Sequence, residues 1–277
     1  MHEGSRRAIA AAFVANLGIA IAKFVGFVFT GAASMLAEAI HSVADTGNQG
    51  LLFLGGARAR RAPTPEHPFG YGRERYFWAF VVSVVLFTVG GLFAIYEGAE
   101  KLRHPHELES PAWAFVILGV AIVLEAFSFR TAVREASHVR ERQGWWEFVR
   151  RSKSPELPVV LLEDLGAMLG LLFALAGVTL SVVTDEPRYD AAGSLAIGTL
   201  LVVIAIVLAI EMRSLLIGES ASHRVQAEIR TVIEGAREVH RIIHLRTLHL
   251  GPDELLVAAK LDLDAPSVDA VARAIDV

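Results

Sequence analysis

The sequence predicts an all-α bundle of six membrane-spanning helices, residues 1–217, followed by a small cytoplasmic α+β domain, residues 218–277. Three observations lead there. The 277 residues are 53% hydrophobic, with a mean hydropathy of +0.47, too apolar for a soluble globular chain. Six apolar runs reach the roughly 20 residues that a helix needs to cross a bilayer. Basic residues crowd alternate connections, as they do in polytopic membrane proteins.

The predicted spans are Ala8 to Thr30, Ser34 to Ala57, Tyr76 to Gly98, Pro111 to Phe129, Pro158 to Val183 and Ala191 to Ile210. The leading MHEGSRRA runs into the first span without a small-residue cleavage site, so no removable signal peptide is expected. Arg6 and Arg7 precede the first span; Arg58, Arg60, Arg61, Arg73 and Arg75 separate the second from the third; six arginines and Lys153 separate the fourth from the fifth. The alternate connections are nearly bare, with Lys101 and Arg103 set among acids and only Arg188 in TDEPRYD. Both termini are therefore expected on the cytoplasmic side. Membrane topology accounts for these arginines, and no nucleic-acid partner is inferred from them. A bacterial inner membrane is the default location.

In the first span, Asn16 is suited to interhelical hydrogen bonding, and Lys23 either snorkels to the outer interface, the favoured reading, or is buried against a carboxylate. The very short link to the second span demands an antiparallel hairpin. The prolines and glycines of RARRAPTPEHPFGYGRERYFW break the helix, leaving His67 as a solvated loop residue. Gly90, Gly91 and Gly98 permit close helix packing in the third span. Glu125, near the inner end of the fourth, is expected to pair with the following arginines. Trp145 and Trp146 read as an interfacial pair. Beyond Arg213 the chain changes character: a helix over Ala221 to Arg237, a strand over Arg241 to Leu250, a turn at Gly251 to Asp253, a strand to Asp264, and a helix opened by Ser267. The tail domain is expected to be incomplete at Val277.

The chemistry concentrates in Ser34 to Gly50, SMLAEAIHSVADTGNQG. Glu38, His41, Asp45 and Asn48 recur every three or four residues, so a helix aligns them on one polar stripe. Polar groups in a span cost a few kcal/mol each at the bilayer centre and turn inward. An imidazole and a carboxylate one turn apart make half of a site for a divalent transition metal. The fifth span adds the adjacent acids Glu163 and Asp164. The plainer alternative is a hydrogen-bonded network that only holds helices together. With no cysteine, thiolate sites and disulfides are excluded, and a metal must be held by His, Asp, Glu, Asn or backbone oxygen. No nucleophile with a base and orienting acid is present, nor a phosphate-binding glycine loop, so the chain does not read as an enzyme.

EAIHSVADTGNQG, HPFGYGRERY, VLLED, YDAAGSLAIG and HLRTLHLGP together resemble the cation diffusion facilitator family, and its branch containing the mammalian mitochondrial zinc exporter. The resemblance implies a six-span, proton-coupled exporter of divalent metals, a homodimer with a ferredoxin-like cytoplasmic domain. It also implies a transport site with two ligands from the second span and two from the fifth. His41, Asp45 and Asp164 fall on three of those positions, and Val160 falls on the fourth. Glu163 is the leading replacement, with Glu38, Asn48 and water as the alternatives. Zinc is the expected ion, with manganese or iron as alternatives, and proton competition for the ligands supplies the coupling. The opposing reading is a membrane metal sensor or scaffold that keeps the fold without transporting. The tail histidines His244 and His249, on opposite strand faces by alternation, read as surface residues.

Overall fold

A computed structural model describes residues 3–31, 33–105, 111–140 and 144–264; side-chain surroundings are described from residue 17 onward, except at 33, 34, 38 and 87. The chain is mostly helical. α1 (Glu3–Thr30) and α2 (Ala33–Arg58) form the predicted hairpin. Gly31 ends α1 at φ +60°, a left-handed conformation that costs glycine nothing, and its N–H bonds the Phe27 carbonyl at 2.8 Å. α3 (Glu74–Val85) passes through a π-helical stretch, Leu86–Leu92, into α4 (Phe93–Arg103), making one continuous 30-residue helix. α5 (Pro111–Val139), the short α6 (Trp145–Arg151), α7 (Glu156–Thr184) and α8 (Arg188–Ile217) follow.

Among the described residues, four helices are long and apolar enough to cross a membrane: Glu74–Arg103, α5, α7 and α8. α2 falls short of that measure although it is 26 residues long, because the polar stripe and Arg58 dilute its apolar character. The apolar part of α1 that is described is Leu17–Thr30. α5 runs ten residues past the predicted end at Phe129, and α8 runs to Ile217, so helical hydrogen bonding outlasts the apolar run. Apolar side chains such as Val123, Phe127 and Val183 remain exposed on the outer surface, as lipid-facing residues of a multi-pass membrane protein do.

The bundle is centred on α2, α7 and α8, whose small and aliphatic residues form one continuous core with Tyr76, Leu86 and Leu118. α1 packs on α2 and α5, while α7 packs on α5 and α8. α8 also lies close against the helix containing the π-stretch, where a Cβ at Gly198 would approach the Ile95 amide nitrogen to 2.7 Å and the Gly91 carbonyl to 2.8 Å.

Beyond Gly218 the tail holds α9 (His223–Glu234) and an antiparallel hairpin of β1 (Val239–Gly251) and β2 (Glu254–Leu263), with Thr247 opposite Val257. Ser222 caps α9 by accepting from the Val225 N–H. These are the elements that the sequence predicts; the helix expected from Ser267 lies outside the described residues. The hairpin tip rests on the α2–α3 connection, where a Cβ at Gly72 would meet the Leu250 carbonyl at 2.7 Å. Arg75 ties the tip to the bundle, donating to Asp253 at 2.9 Å and also to Glu156 at the start of α7.

Three expectations for charged residues are corrected. Lys23 does not snorkel: it is fully buried, donates to Ser42 Oγ at 2.8 Å and sits 3.5 Å from Glu125 Oε1. Glu125 accordingly pairs with Lys23 rather than with the arginines that follow it. Lys101 is not a loop charge either; it is buried and donates to the equally buried Asp190 at 2.9 Å. Within a low-dielectric bundle, a charge on one helix is best satisfied by an opposite charge on a neighbour. His67 is exposed, as expected, with its ring 4.6 Å from that of Tyr71.

Candidate functional site

The helical spacing of α2 brings His41, Asp45 and Asn48 onto its buried face. α7 presents Glu163 and Asp164, both buried, to the same region. Asn48 Nδ2 donates to Glu163 Oε1 at 2.9 Å, joining the two helices directly.

Asp164, pointing off Glu163 by about 100° around the helix, accepts from Ser128 Oγ of α5 at 3.2 Å. It lines a small polar cleft with Asp45, Ser42, Glu125 and Ile19. The site thus gathers four carboxylates, Asp45, Glu125, Glu163 and Asp164, near one ammonium, Lys23. An anionic cluster in a low-dielectric bundle is stabilised by a bound cation or by protons, and the two compete for the same oxygens.

His41 is fully buried, and neither of its ring nitrogens has a hydrogen-bond partner among the described residues. Its Nδ1 lies 3.4 Å from Asp45 Oδ1, which also lacks a hydrogen bond. The π-stretch passes beside this ring, and an added methyl on Gly90 would stand 3.7 Å from His41 Nδ1 and 3.2 Å from Leu201 Cδ1. π-helical turns frequently mark functional sites. Unpaired buried donors and acceptors are costly unless a ligand satisfies them, and a neutral imidazole nitrogen beside a carboxylate suits a transition metal.

The predicted residues therefore converge as a group, with distinctions. Asp45, Glu163 and Asp164 share one region with Asn48 as the α2–α7 bridge, and His41 borders it through Asp45. The side chain of Glu38 lies outside the described residues. Val160, half-buried one turn before Asp164, offers no ligand. Among the described residues, no three His, Asp or Glu side chains stand as a closed metal-binding group. The reason is visible in the partners: Asn48 holds Glu163, Ser128 holds Asp164 and Lys23 holds Glu125. Sequence reasoning missed Ser42, Ser128 and the Lys23–Glu125 pair. The available signal was a lysine and a glutamate, each alone in an otherwise apolar span.

Residues 9–217 match the family described as the cation efflux transmembrane domain. The chain belongs to the cation efflux, or cation diffusion facilitator, family. Over 244 residues, 87% of this cation efflux protein, it is 34% identical to the proton-coupled zinc antiporter SLC30A9, mitochondrial, of Mus musculus, and covers 43% of that protein. The Homo sapiens protein of the same name matches to the same extent. Metal tolerance protein C4 of Arabidopsis thaliana is 28% identical over 266 residues, 95% of this chain and 58% of its own length. The chain thus spans less than half the length of its SLC30A9 relatives. Those relatives are named as antiporters and not as enzymes, in agreement with the non-enzymatic reading of the sequence.

Proposed function

We propose that this cation efflux protein exports a divalent cation, zinc foremost, in exchange for protons, by alternating access around His41, Asp45, Glu163 and Asp164. Manganese and iron are the alternative ions. Six spans, residues 1–217, form the transport domain, and residues 218–277 contribute a ferredoxin-like cytoplasmic domain to a homodimer with both termini in the cytoplasm. A bacterial inner membrane is the default setting.

The observation that carries the reading is the Asp45 carboxylate, whose Oδ1 lacks a hydrogen bond, 3.4 Å from a buried imidazole whose two nitrogens are likewise without partners among the described residues. These groups have no purpose in a merely structural network, which would have paired them. In the proposed cycle, deprotonated carboxylates take the cation from the cytoplasmic side. Protons arriving from the opposite side then release it, because metal and proton bind the same oxygens. Kinship with proton-coupled zinc antiporters supports the choice of ions.

The test is metal flux into inverted vesicles or proteoliposomes holding the purified chain, with zinc, manganese, iron and cadmium, with and without a pH gradient. Gradient-driven zinc flux is expected in the wild type and is lost in Asp45→Ala. Loss in Glu163→Ala as well would make Glu163 the replacement for the ligand that Val160 cannot supply. Absence of flux for every ion, from folded protein, would sink the transporter and leave the sensor or scaffold.

A further inference from the structure

Glu125 of α5 belongs to neither helix from which the sequence draws ligands. It nevertheless lines the same cleft as Asp45 and Asp164. On its other side is the Lys23 ammonium, 3.5 Å from Oε1, anchored to Ser42 Oγ on α2 at 2.8 Å. The cleft is more than a cluster of acids, because Asp45, 6% exposed, lines it and its Oδ1, 3.4 Å from His41 Nδ1, has no hydrogen-bond partner among the described residues.

Val160 leaves α7 one ligand short, and Glu125 brings an oxygen donor to the cleft from a third helix. The geometry points to Glu125 as a further ligand of the transported cation, with Lys23 as a tethered cation that neutralises Glu125 when the cargo is absent. This rests on the transport reading above. A buried carboxylate left alone is heavily penalised, so an empty carrier needs a counter-charge at Glu125. A lysine suits that task, since its ammonium is a compact point charge on a flexible four-carbon stem and can give way to a dication. Repulsion between the ammonium and an arriving dication separates Lys23 from Glu125, while Ser42 retains the ammonium on the α2 side. Lys23 therefore competes with the cargo for one carboxylate and weakens binding, which favours release.

Zinc affinity is measured by competition with a chromogenic chelator, using the full chain in lipid nanodiscs, and flux is measured on the same proteins in proteoliposomes. Glu125→Gln is expected to weaken zinc binding more than about tenfold, the scale on which even outer-shell partners of metal ligands act. Glu125→Asp, which keeps the charge but is one methylene shorter, is expected to weaken it comparably, whereas a carboxylate acting only through its field would leave affinity unchanged. Lys23→Met is expected to tighten binding, and Lys23→Met/Glu125→Gln to return it to the weak range. Wild-type affinity in Glu125→Asp, or equal affinity in Lys23→Met and the double variant, overturns the inference while wild-type flux keeps the transport reading intact. Should the single Glu125 variants not fold, the comparison of Lys23→Met with the double variant decides alone. A wild type that binds neither zinc, manganese nor iron overturns both.

Discussion

Lys101 and Asp190 are both buried, and the ammonium, besides bonding Asp190 at 2.9 Å, lies 3.4 Å from the carbonyl oxygen of Gly31. One side chain thus links α4, α8 and the turn between α1 and α2. A buried ion pair adds little stability relative to apolar residues of the same shape, but removing one partner strands the other at a cost of about 3–5 kcal/mol. Asp190→Ala is therefore expected to lower stability by an amount in that range, and Lys101→Met/Asp190→Leu to recover most of it. A double-mutant cycle on unfolding in detergent checks this; a single variant with an unchanged midpoint would contradict the assigned pairing. Neither this pair nor Lys23–Glu125 was legible as a pair, because helical spacing orders residues along one helix and says nothing about which neighbour each meets.

The glycines of the third and sixth predicted spans act as elements rather than as residues. A Cβ on Gly98 would approach the Ala191 carbonyl and the Leu195 amide nitrogen to 2.9 Å, and one on Gly91 would reach Val202 Cγ2 at 2.8 Å. Along with Gly198, they let α8 lie backbone against backbone on the helix that carries the π-stretch, the close packing favoured in membranes. Gly198→Ala must push against main-chain atoms of Ile95 and Gly91 and is expected to destabilise by at least the 1–3 kcal/mol of a typical overpacked core. Gly119→Ala, in α5 with nothing within 4 Å of the added methyl, is expected to be neutral or to stabilise by up to about 1 kcal/mol. Thermal unfolding of the two variants side by side distinguishes them. A matched loss at both sites would refute the packing argument. Glycine clustering was readable beforehand, but the π-stretch was not, since no propensity separates Leu86–Leu92 from an ordinary helical turn.

At the scale of the molecule, the tail and bundle meet through charges. Lys153, ahead of α7, donates to Glu219, and the His249 N–H bonds the Glu219 carbonyl at 2.9 Å. Burial pushes the Glu219 carboxyl up, but hydrogen bonds from Lys153 and Ser214, with the Lys153 charge, hold it below its ordinary 4.5. His249 is half-buried rather than the surface residue that the sequence suggests, and burial pushes its imidazole below its ordinary 6.5. Both shifts have the same sign for docking. As pH falls through 6.5, undocked His249 takes a proton that the docked form refuses. Below 4.5, undocked Glu219 does the same, and its contribution is lost as pH passes through the lower docked value. Docking is therefore fully supported above pH 6.5 and weakens stepwise on acidification. Hydrogen exchange at residues 247–251, corrected for intrinsic rates, is expected to accelerate below pH 6.5 in the wild type and to lose that limb in His249→Gln. Protection independent of pH would rule the mechanism out.

Apolar runs of spanning length, a helical stripe on α2, two adjacent acids on α7 and the turn chemistry of Gly251 to Asp253 were enough to read a helical membrane bundle with a strand-containing tail and to single out Asp45, Glu163 and Asp164 as candidate ligands. Those features are local: each depends on periodicity along one segment, which a linear chain displays in full. The Asn48–Glu163 bridge from α2 to α7, the His41 nitrogens left unpaired among the described residues, the arrival of Glu125 from a third helix and the inward turn of Lys23 and Lys101 required the folded protein. They depend on the rotation and depth of one helix against another, and those are set by close packing among many side chains at once.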